Sequence, residues 1–405
     1  MIQPSATRSI TRLLVCASLI VALSLGIRHT FGLFMQPMSM DLHWGRGVFS
    51  LAIALQNLVW GLAQPFSGWL ADRFGAGRVL FGGSLFYVLG LALMAHSSDP
   101  SSLNLSAGLL IGLGMSGTTF SVVYGAVGRA VAPEKRAHAL ALVGTAGSLG
   151  QFLLVPFGHQ MIEHVGWFQS LLAMALASAL IAPLAFGAAE RGRETSSASY
   201  VQSTREALRE AFAQRSFWLL AMGFFVCGFQ IVFIGAHLPS YILDTGLTAN
   251  VGMMALALIG LFNIFGTYGF GMLGGRMSKK HLLSGLYLAR SAAITLFLLL
   301  PVSPLSVAVF AAMMGLLWLG TVPLTNALVA QIFGVRYLAM LSGFVFFSHQ
   351  VGSFLGAWLG GVLFDRTGSY LVAWLICIAL GIVAALLSLP VDDRPVARMR
   401  VSEAR

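Results

Sequence analysis

"GWLADRFG" at residues 68–75 returns in altered form as "GMLGGRMS" at residues 271–278, a shift of 203 positions. A second pair, "GHQMIEHVGW" (158–167) and "GGVLFDRTGS" (360–369), is offset by 202. Within it Glu163 falls opposite Asp365, and Gly166 opposite Gly368. Two separate matches at nearly one offset, half the length of a 405-residue chain, argue for a duplication. What was duplicated is decided by the residues around these stretches.

Those residues are apolar. Hydrophobic side chains make up 57% of the chain and charged ones 9%, mean hydropathy is +0.84, and ordinary soluble domains carry about 25% charge. The apolar residues come in blocks of roughly 20, the length that crosses about 30 Å of hydrocarbon as a helix. A β-barrel would instead alternate in segments of about ten. Twelve blocks are read, at 12–36, 47–70, 79–96, 104–128, 137–159, 166–188, 216–243, 249–273, 281–301, 304–331, 338–362 and 369–390. The expectation is an all-α membrane protein with six crossings in 1–188, a linker loop at 189–215, six more in 216–391 and a tail at 392–405. The first block follows Arg8 and Arg12 as a secretory signal would, but its length and Arg28 mark it as retained.

Charge placement orients the blocks. With the N-terminus taken as cytoplasmic, 20 of the 24 lysines and arginines fall inside. Only Arg46 and Arg366 fall outside, and Arg28 and Arg290 fall within blocks. Such a bias sets topology, with both termini inside. It also accounts for the net charge of +10 through contact with anionic lipid, without nucleic acid. Cys16, Cys227 and Cys377 lie in apolar blocks at no metal or disulfide spacing, so no metal or cofactor is expected.

"GWLADRFGAGR" resembles the loop signature of the major facilitator superfamily, and "GSLGQFLLVPFG" (147–158) resembles its glycine–proline motif. The tract from "DLHWGRG" through "GWLADRFG", and "HQVGSFLGAWLGGVLFDRTGSY", more specifically resemble bacterial members of the monocarboxylate and oxalate/formate branch. The resemblance implies the major facilitator fold of two pseudo-symmetric six-helix bundles. It also implies a monomeric carrier in a bacterial inner membrane, with no enzymatic activity. Blocks one, four, seven and ten would then line a central cavity. Two departures stand out: Ala76-Gly77 occupies a place where a basic residue is common, leaving Arg78, and "LLIGLGMSGTTFSVVYG" in block four carries no arginine. Gly68 and Gly75 permit a tight turn, and Asp72 can meet helix N-termini or arginines. By resemblance Asp72 and Arg73 lock the cytoplasmic side. Gly144, Gly147, Gly150 and Pro156 suit close helix approach and a kink.

The charge inventory points to the cargo. All 14 acidic residues fall in loops, tails or block ends, whereas the block interiors hold Arg28, His29, His237, Arg290 and His349. An arginine in hydrocarbon without an anion costs about 3 kcal/mol on insertion scales, and its planar fork matches a carboxylate. The lopsided set points to a small organic anion, by resemblance a monocarboxylate, with a proton or a counter-anion as the second partner. Gln230, Ile234, His237 and Tyr241 share one face of block seven at helical spacing. Block four offers Ser116, Thr119 and Tyr124, and block ten offers Thr321 and Asn326 around Pro323. Each hydroxyl or amide also serves as plain glue between helices. His349 and Gln350 in "FFSHQVG" join the candidates, and Arg290 is assigned a supporting role. The competing reading is an exporter of drugs or amphipathic metabolites, indifferent to loss of Arg28. A zinc-binding helix pair, a nucleophile elbow and a GxxxxGK[ST] loop are all missing from the sequence, which sets aside an enzyme and an ATP-driven pump.

Overall fold

Hydrocarbon offers a backbone N–H or C=O no water to bond, so apolar runs of this length satisfy themselves as helices. The computed structural model describes residues 4–131, 133–188, 203–334 and 337–396, without the side chains of 4–9, 133–138, Asp72 and Ala339. Ten stretches are long and apolar enough to cross a membrane: Ile10–Asp41, Arg46–Ala71, Ala76–Ala95, Pro100–Ala130, Ala139–Gly187, Arg215–Asp244, Ala249–Gly274, Lys279–Leu299, Pro304–Phe333 and Leu371–Ser388. Ala139–Gly187 turns over at Gly166, whose φ of 81° breaks the helix, and so holds two crossings. Leu338–Thr367 is a further helix of 30 residues, which makes twelve crossings among the described residues. They are numbered helix one to helix twelve in chain order, helices five and six lying either side of Gly166.

The twelve form two bundles of six. Successive crossings reverse direction, so the connections alternate between two ends. Arg46, Gly166, Asp244 and Gly368 lie at one, the Arg46 end. Gly75, Gly274 and Phe333 lie at the other, the Gly75 end.

The duplication is repeated in the packing. A Cβ added to Gly26 would stand 2.7 Å from the Gly150 carbonyl oxygen, and one on Gly150 would run into the Ala22 carbonyl. At an offset of 202, a Cβ on Gly228 would meet the His349 carbonyl and one on Gly352 the Phe225 carbonyl. Helix one thus lies on helix five as helix seven lies on helix eleven. In lipid the gain comes from backbone-to-backbone contact, because surrounding tails are as apolar as the side chains.

Four crossings are broken among the described residues, helix six at Leu180. Helix one bends at Thr30, helix four at Thr119 (φ −112°, ψ −160°) and helix ten between Leu317 and Thr321. Pro323 accounts for the last, since its ring lacks an N–H and clashes with the carbonyl four residues back. Helix four has no proline at its break, but the hydroxyls of Thr118 and Thr119 bond the carbonyls of Gly114 (3.0 Å) and Met115 (2.6 Å). Ser24 Oγ on helix one donates to the Thr118 carbonyl at 3.3 Å. The backbone stays helical through Pro156, and the non-helical residue of that stretch is Gly166. A lost hydrogen bond inside a packed transmembrane helix is tolerated where neighbours hold the segment.

At the Gly75 end a short helix, Thr204–Ala213, precedes helix seven and opens with a Ser203/Glu206 capping box. The Ser203 N–H and hydroxyl hold the Glu206 carboxyl below its ordinary range. The expected tail is fastened over its first residues. Gln331 Nε2 donates to the Asp393 carbonyl at 2.8 Å, and Val396 N to the Ile332 carbonyl at 2.9 Å. Residues 189–202 of the expected linker and 397–405 of the tail lie outside the described residues.

Gly150→Ala and Gly352→Ala are expected to destabilise the purified protein by about 1–3 kcal/mol each, through forced separation of packed backbones. Gly82→Ala, where an added Cβ meets nothing within 4 Å, is expected to be neutral or stabilising. Thermal unfolding in detergent compares the three.

Candidate functional site

Arg28 sits two residues before the bend of helix one, half-buried. Its Nη2 donates to Asn57 Oδ1 at 2.6 Å, and its Cζ lies 5.7 Å from the Trp60 ring centroid. Its Nε is buried without a hydrogen-bond partner. Asn57 on helix two is held by its own Nδ2, which donates to the Ile53 carbonyl at 2.7 Å and so aims the amide oxygen at the guanidinium. The cation therefore meets an amide dipole and a ring face, partners weaker than a carboxylate. Beside it Arg28, His29, Gln56, Ile231, Val232 and Gly235 line a cavity of about 20 Å³ between helices one, two and seven. That is room for about one water, and Gln56 Oε1, buried in the same cluster, has no partner.

An aromatic path leads from Arg28 into the second bundle. Trp60 Nε1 donates to Thr119 Oγ1 at 3.0 Å, at the break of helix four. The Trp60 ring meets Phe346 edge-on at 5.6 Å, and Phe346 stacks on His349 at 5.7 Å. His349, with 8% exposure, has its Nδ1 3.3 Å from Gln350 Oε1. Gln350 in turn fills the space that a Cβ on Gly61 would need. Arg28 of the first bundle and His349 of the second thus share one wall across the seam.

Other sequence candidates stand elsewhere. Tyr124, half-buried, lies against Phe120 (5.1 Å), and its hydroxyl reaches the space opened by Gly144. Gln230 is turned into the second bundle, its Nε2 donating to the Cys377 carbonyl at 2.9 Å. His237 is equally committed there, with Nε2 2.8 Å from the Ala357 carbonyl and Nδ1 3.1 Å from the Tyr370 hydroxyl. Asn326 is half-buried on the second part of helix ten.

Arg290, fully buried on helix nine, solves a different problem. Its Nε and Nη2 donate to the Leu317 carbonyl at 3.0 and 2.7 Å, and Nη2 also bonds the Trp318 carbonyl. These carbonyls end the first part of helix ten, where hydrogen-bond partners are lacking and the helix dipole is negative. The Leu319 N–H beside them donates to Asn263 Oδ1 at 3.1 Å. Arg290 thus closes the break, with its charge met by backbone.

The bundles are joined at the Arg46 end. Arg46 forms a two-pronged pair with Asp244 (2.5 and 2.6 Å), donates to the Tyr370 hydroxyl (3.1 Å) and lies 3.9 Å over the Phe364 ring. The Arg46 and Gly47 N–H groups, the first of helix two, donate to the Asp365 carboxylate at 2.9 and 2.7 Å. Gly45 gives that helix no side-chain cap of its own, so a residue of the second bundle caps a helix of the first. Helices five and eight add His159–Asn250 (2.8 Å), Gln151 to the Leu256 carbonyl (2.8 Å) and Asn263 to Ser148 Oγ (2.8 Å).

At the Gly75 end the turn after helix two stands bare. A Cβ on Gly68 or Gly75 would meet nothing within 4 Å, and Phe66, Trp69 and Phe74 are exposed. Arg73 lies 5.5 Å from the Trp69 and Phe74 rings, and Arg78 Nη1 donates to the Phe74 carbonyl at 3.4 Å, within one bundle. The Asp72 side chain lies outside the described residues. Sequence reading missed Asn57, Trp60 and Phe346 as neighbours of Arg28, and Arg46, Asp244 and Asp365 as a clasp. The clasp did leave a signal: Arg46 is one of two basic residues on the far side, and Asp365 holds the duplicated position of Glu163.

A profile of the Major Facilitator Superfamily matches residues 14–321. The chain belongs to the major facilitator superfamily. This superfamily consists of membrane transporters, not enzymes. The chain is 28% identical over 397 residues to the uncharacterized MFS-type transporter YcxA of Bacillus subtilis, with 92% of each covered. It is 26% identical over 350 residues to monocarboxylate transporter 12 of Rattus norvegicus, covering 78% of this chain and 71% of that one. To the oxalate:formate antiporter of Oxalobacter formigenes it is 23% identical over 394 residues, covering 95% and 93%. Among solved structures it superposes on a bacterial homologue of the human lysosomal transporter Spinster, inward-facing and unoccupied, with a TM-score of 0.76. That match covers 97% of this chain and 99% of the other at 15% identity, and it shows the fold alone.

The two buried arginines are expected to separate in a stability measurement. Arg290→Met orphans two buried carbonyls at about 1–3 kcal/mol each and lowers the unfolding temperature. Arg28→Met removes a poorly compensated charge and leaves that temperature unchanged or raises it.

Proposed function

We propose that this transporter carries a small organic anion, a monocarboxylate, across a bacterial inner membrane by alternating access, with Arg28 as the anion-binding group. The observation that carries the reading is the state of Arg28: a cation in the middle of the fold, an open Nε, and an amide in place of a carboxylate. A substrate carboxylate meeting that Nε forms a charge-assisted bond, about twice as strong as a neutral one. His349 faces it along the shared aromatic wall, and His29, Tyr124 and Asn326 complete the contacts as the bundles move. Gln230 acts through Arg290, and His237 acts at the clasp. The cargo class is further supported by the relatives named for monocarboxylates and for oxalate and formate.

Basic residues concentrated at the Gly75 end support its assignment to the cytoplasm, with both termini there. On this assignment the Arg46 clasp closes the outer side. Residues 1–188 and 216–391 rock as two units joined by 189–215. Gly68, Asp72, Arg73, Gly75 and Arg78 form the inner closure in the opposite state, and Gly147 and Pro156 let helix five follow. Energy comes from a coupled proton or counter-anion. A bound anion neutralises Arg28 in one arrangement better than in the other, the differential affinity that any such shift requires.

Arg28→Lys keeps the charge and loses the fork, and is expected to weaken substrate binding by about 10- to 100-fold, or 1.5–3 kcal/mol. Thermal stabilisation by lactate, pyruvate, formate and oxalate, together with uptake of the radiolabelled acid into proteoliposomes, checks it. Uptake unchanged in Arg28→Lys and Arg28→Ala would assign an amphipathic cargo instead.

Asp365→Asn removes a charged cap worth about 1 kcal/mol and is expected to raise the fraction open at the Arg46 end about fivefold. The readout is labelling of Ser50→Cys, buried beside Gly361, by a membrane-impermeant maleimide.

A further inference from the structure

We propose that His159 and Glu163 form a proton-binding site, filled from the Arg46 end, whose occupancy holds that end closed. The proposal rests on the alternating-access reading and adds its control. His159 on helix five is 3% exposed. Its Nε2 lies 2.8 Å from Asn250 Oδ1 on helix eight and 3.2 Å from Glu163 Oε1, one turn along its own helix. Two acceptors converge on one ring nitrogen, so Nε2 donates. A single hydrogen therefore serves a carboxylate of the first bundle and an amide of the second. Charging the ring makes both bonds charge-assisted, and the stronger bond to Asn250 exists only while the bundles touch. Proton binding and closure are thereby linked.

The proton has a route. A cavity of about 230 Å³ adjoins the pair between helices one, five, seven and eight, lined among others by Gln36, Ser240 and Ala249. Gln36 Oε1 and Ser240 Oγ, both on its wall, are buried without partners, and polar atoms left open in a space of this size are places for water. Glu163, 41% exposed, carries the path to solvent. Neighbouring helices bring few competing charges. At the same end Asp41 on helix one accepts from Trp167 at 2.9 Å, Asp244 on helix seven is neutralised by Arg46, and helix eight presents the uncharged Asn250. His237 and Tyr241 on helix seven turn the other way, onto Tyr370.

The test needs no substrate. Spin labels at Ser98→Cys in the first bundle and Thr248→Cys in the second, in full-length protein with its native cysteines changed to alanine, report the distance across the Arg46 end in nanodiscs. The closed fraction is expected to fall about threefold or more between pH 5 and pH 8, the range in which histidine titrates. His159→Gln, which keeps a donor toward Asn250 but cannot titrate, should flatten the response, and Glu163→Gln, which keeps an acceptor but loses the charge, should weaken it. A pH-independent distance in the parent protein, or an unaltered pH response in His159→Gln, overturns the proposal. Asp365→Asn in the same assay separates the two readings. If it opens the end while pH does nothing, the proton site alone is wrong. If neither moves the distance, the rocking itself is wrong and the proton site falls with it.

Discussion

A polar group inside hydrocarbon must find its partner within the protein, and nearly every unusual feature of this molecule answers that constraint. The crossings are helical because a helix bonds its own backbone. Where a helix breaks, side chains take over: Ser24, Thr118 and Thr119 around helix four, Arg290 and Asn263 around helix ten. Arg28 departs from the pattern. Its charge is met by one amide and one ring, and a donor is left over. Local rules bent without visible compensation tend to mark functional positions, and the proposed anion site rests on this contrast between two arginines.

The two halves share a plan and differ in how they complete it. Gly26 and Gly150 let helix one lie on helix five, and Gly228 and Gly352 do the same for helices seven and eleven. The breaks of helices four and ten fall at corresponding places, yet one is closed by hydroxyls and the other by a guanidinium. Gln230, 202 residues after Arg28, bonds to Arg290 and the Cys377 carbonyl. At this duplicated pair of positions the first half holds a cation and the second an amide, and the second half has turned its own arginine inward as structure.

The clasp at the Arg46 end obeys the same constraint at its margin. Helix two lacks a cap of its own and borrows the Asp365 carboxylate from the other bundle. At the margin of the molecule water competes for such a bond, so this cap by itself contributes about 1 kcal/mol.

Composition and spacing carried much of this. Twelve crossings, two halves, the side that collects positive charge and the lack of carboxylates in helix interiors all follow from local sums along the chain. Hydropathy and charge bias act on each segment separately. Arg28 stood out for the same reason. Its neighbours did not: Asn57 is 29 residues away, and Phe346 and His349 come from the other half. Asp365 meets Gly47 across 318 positions. By composition alone, Arg28 and Arg290 were the same object, a guanidinium in an apolar block. Only the tertiary structure set two free carbonyls before one and left the other open, because a partner's identity depends on which segments pack together, and no local pattern encodes that.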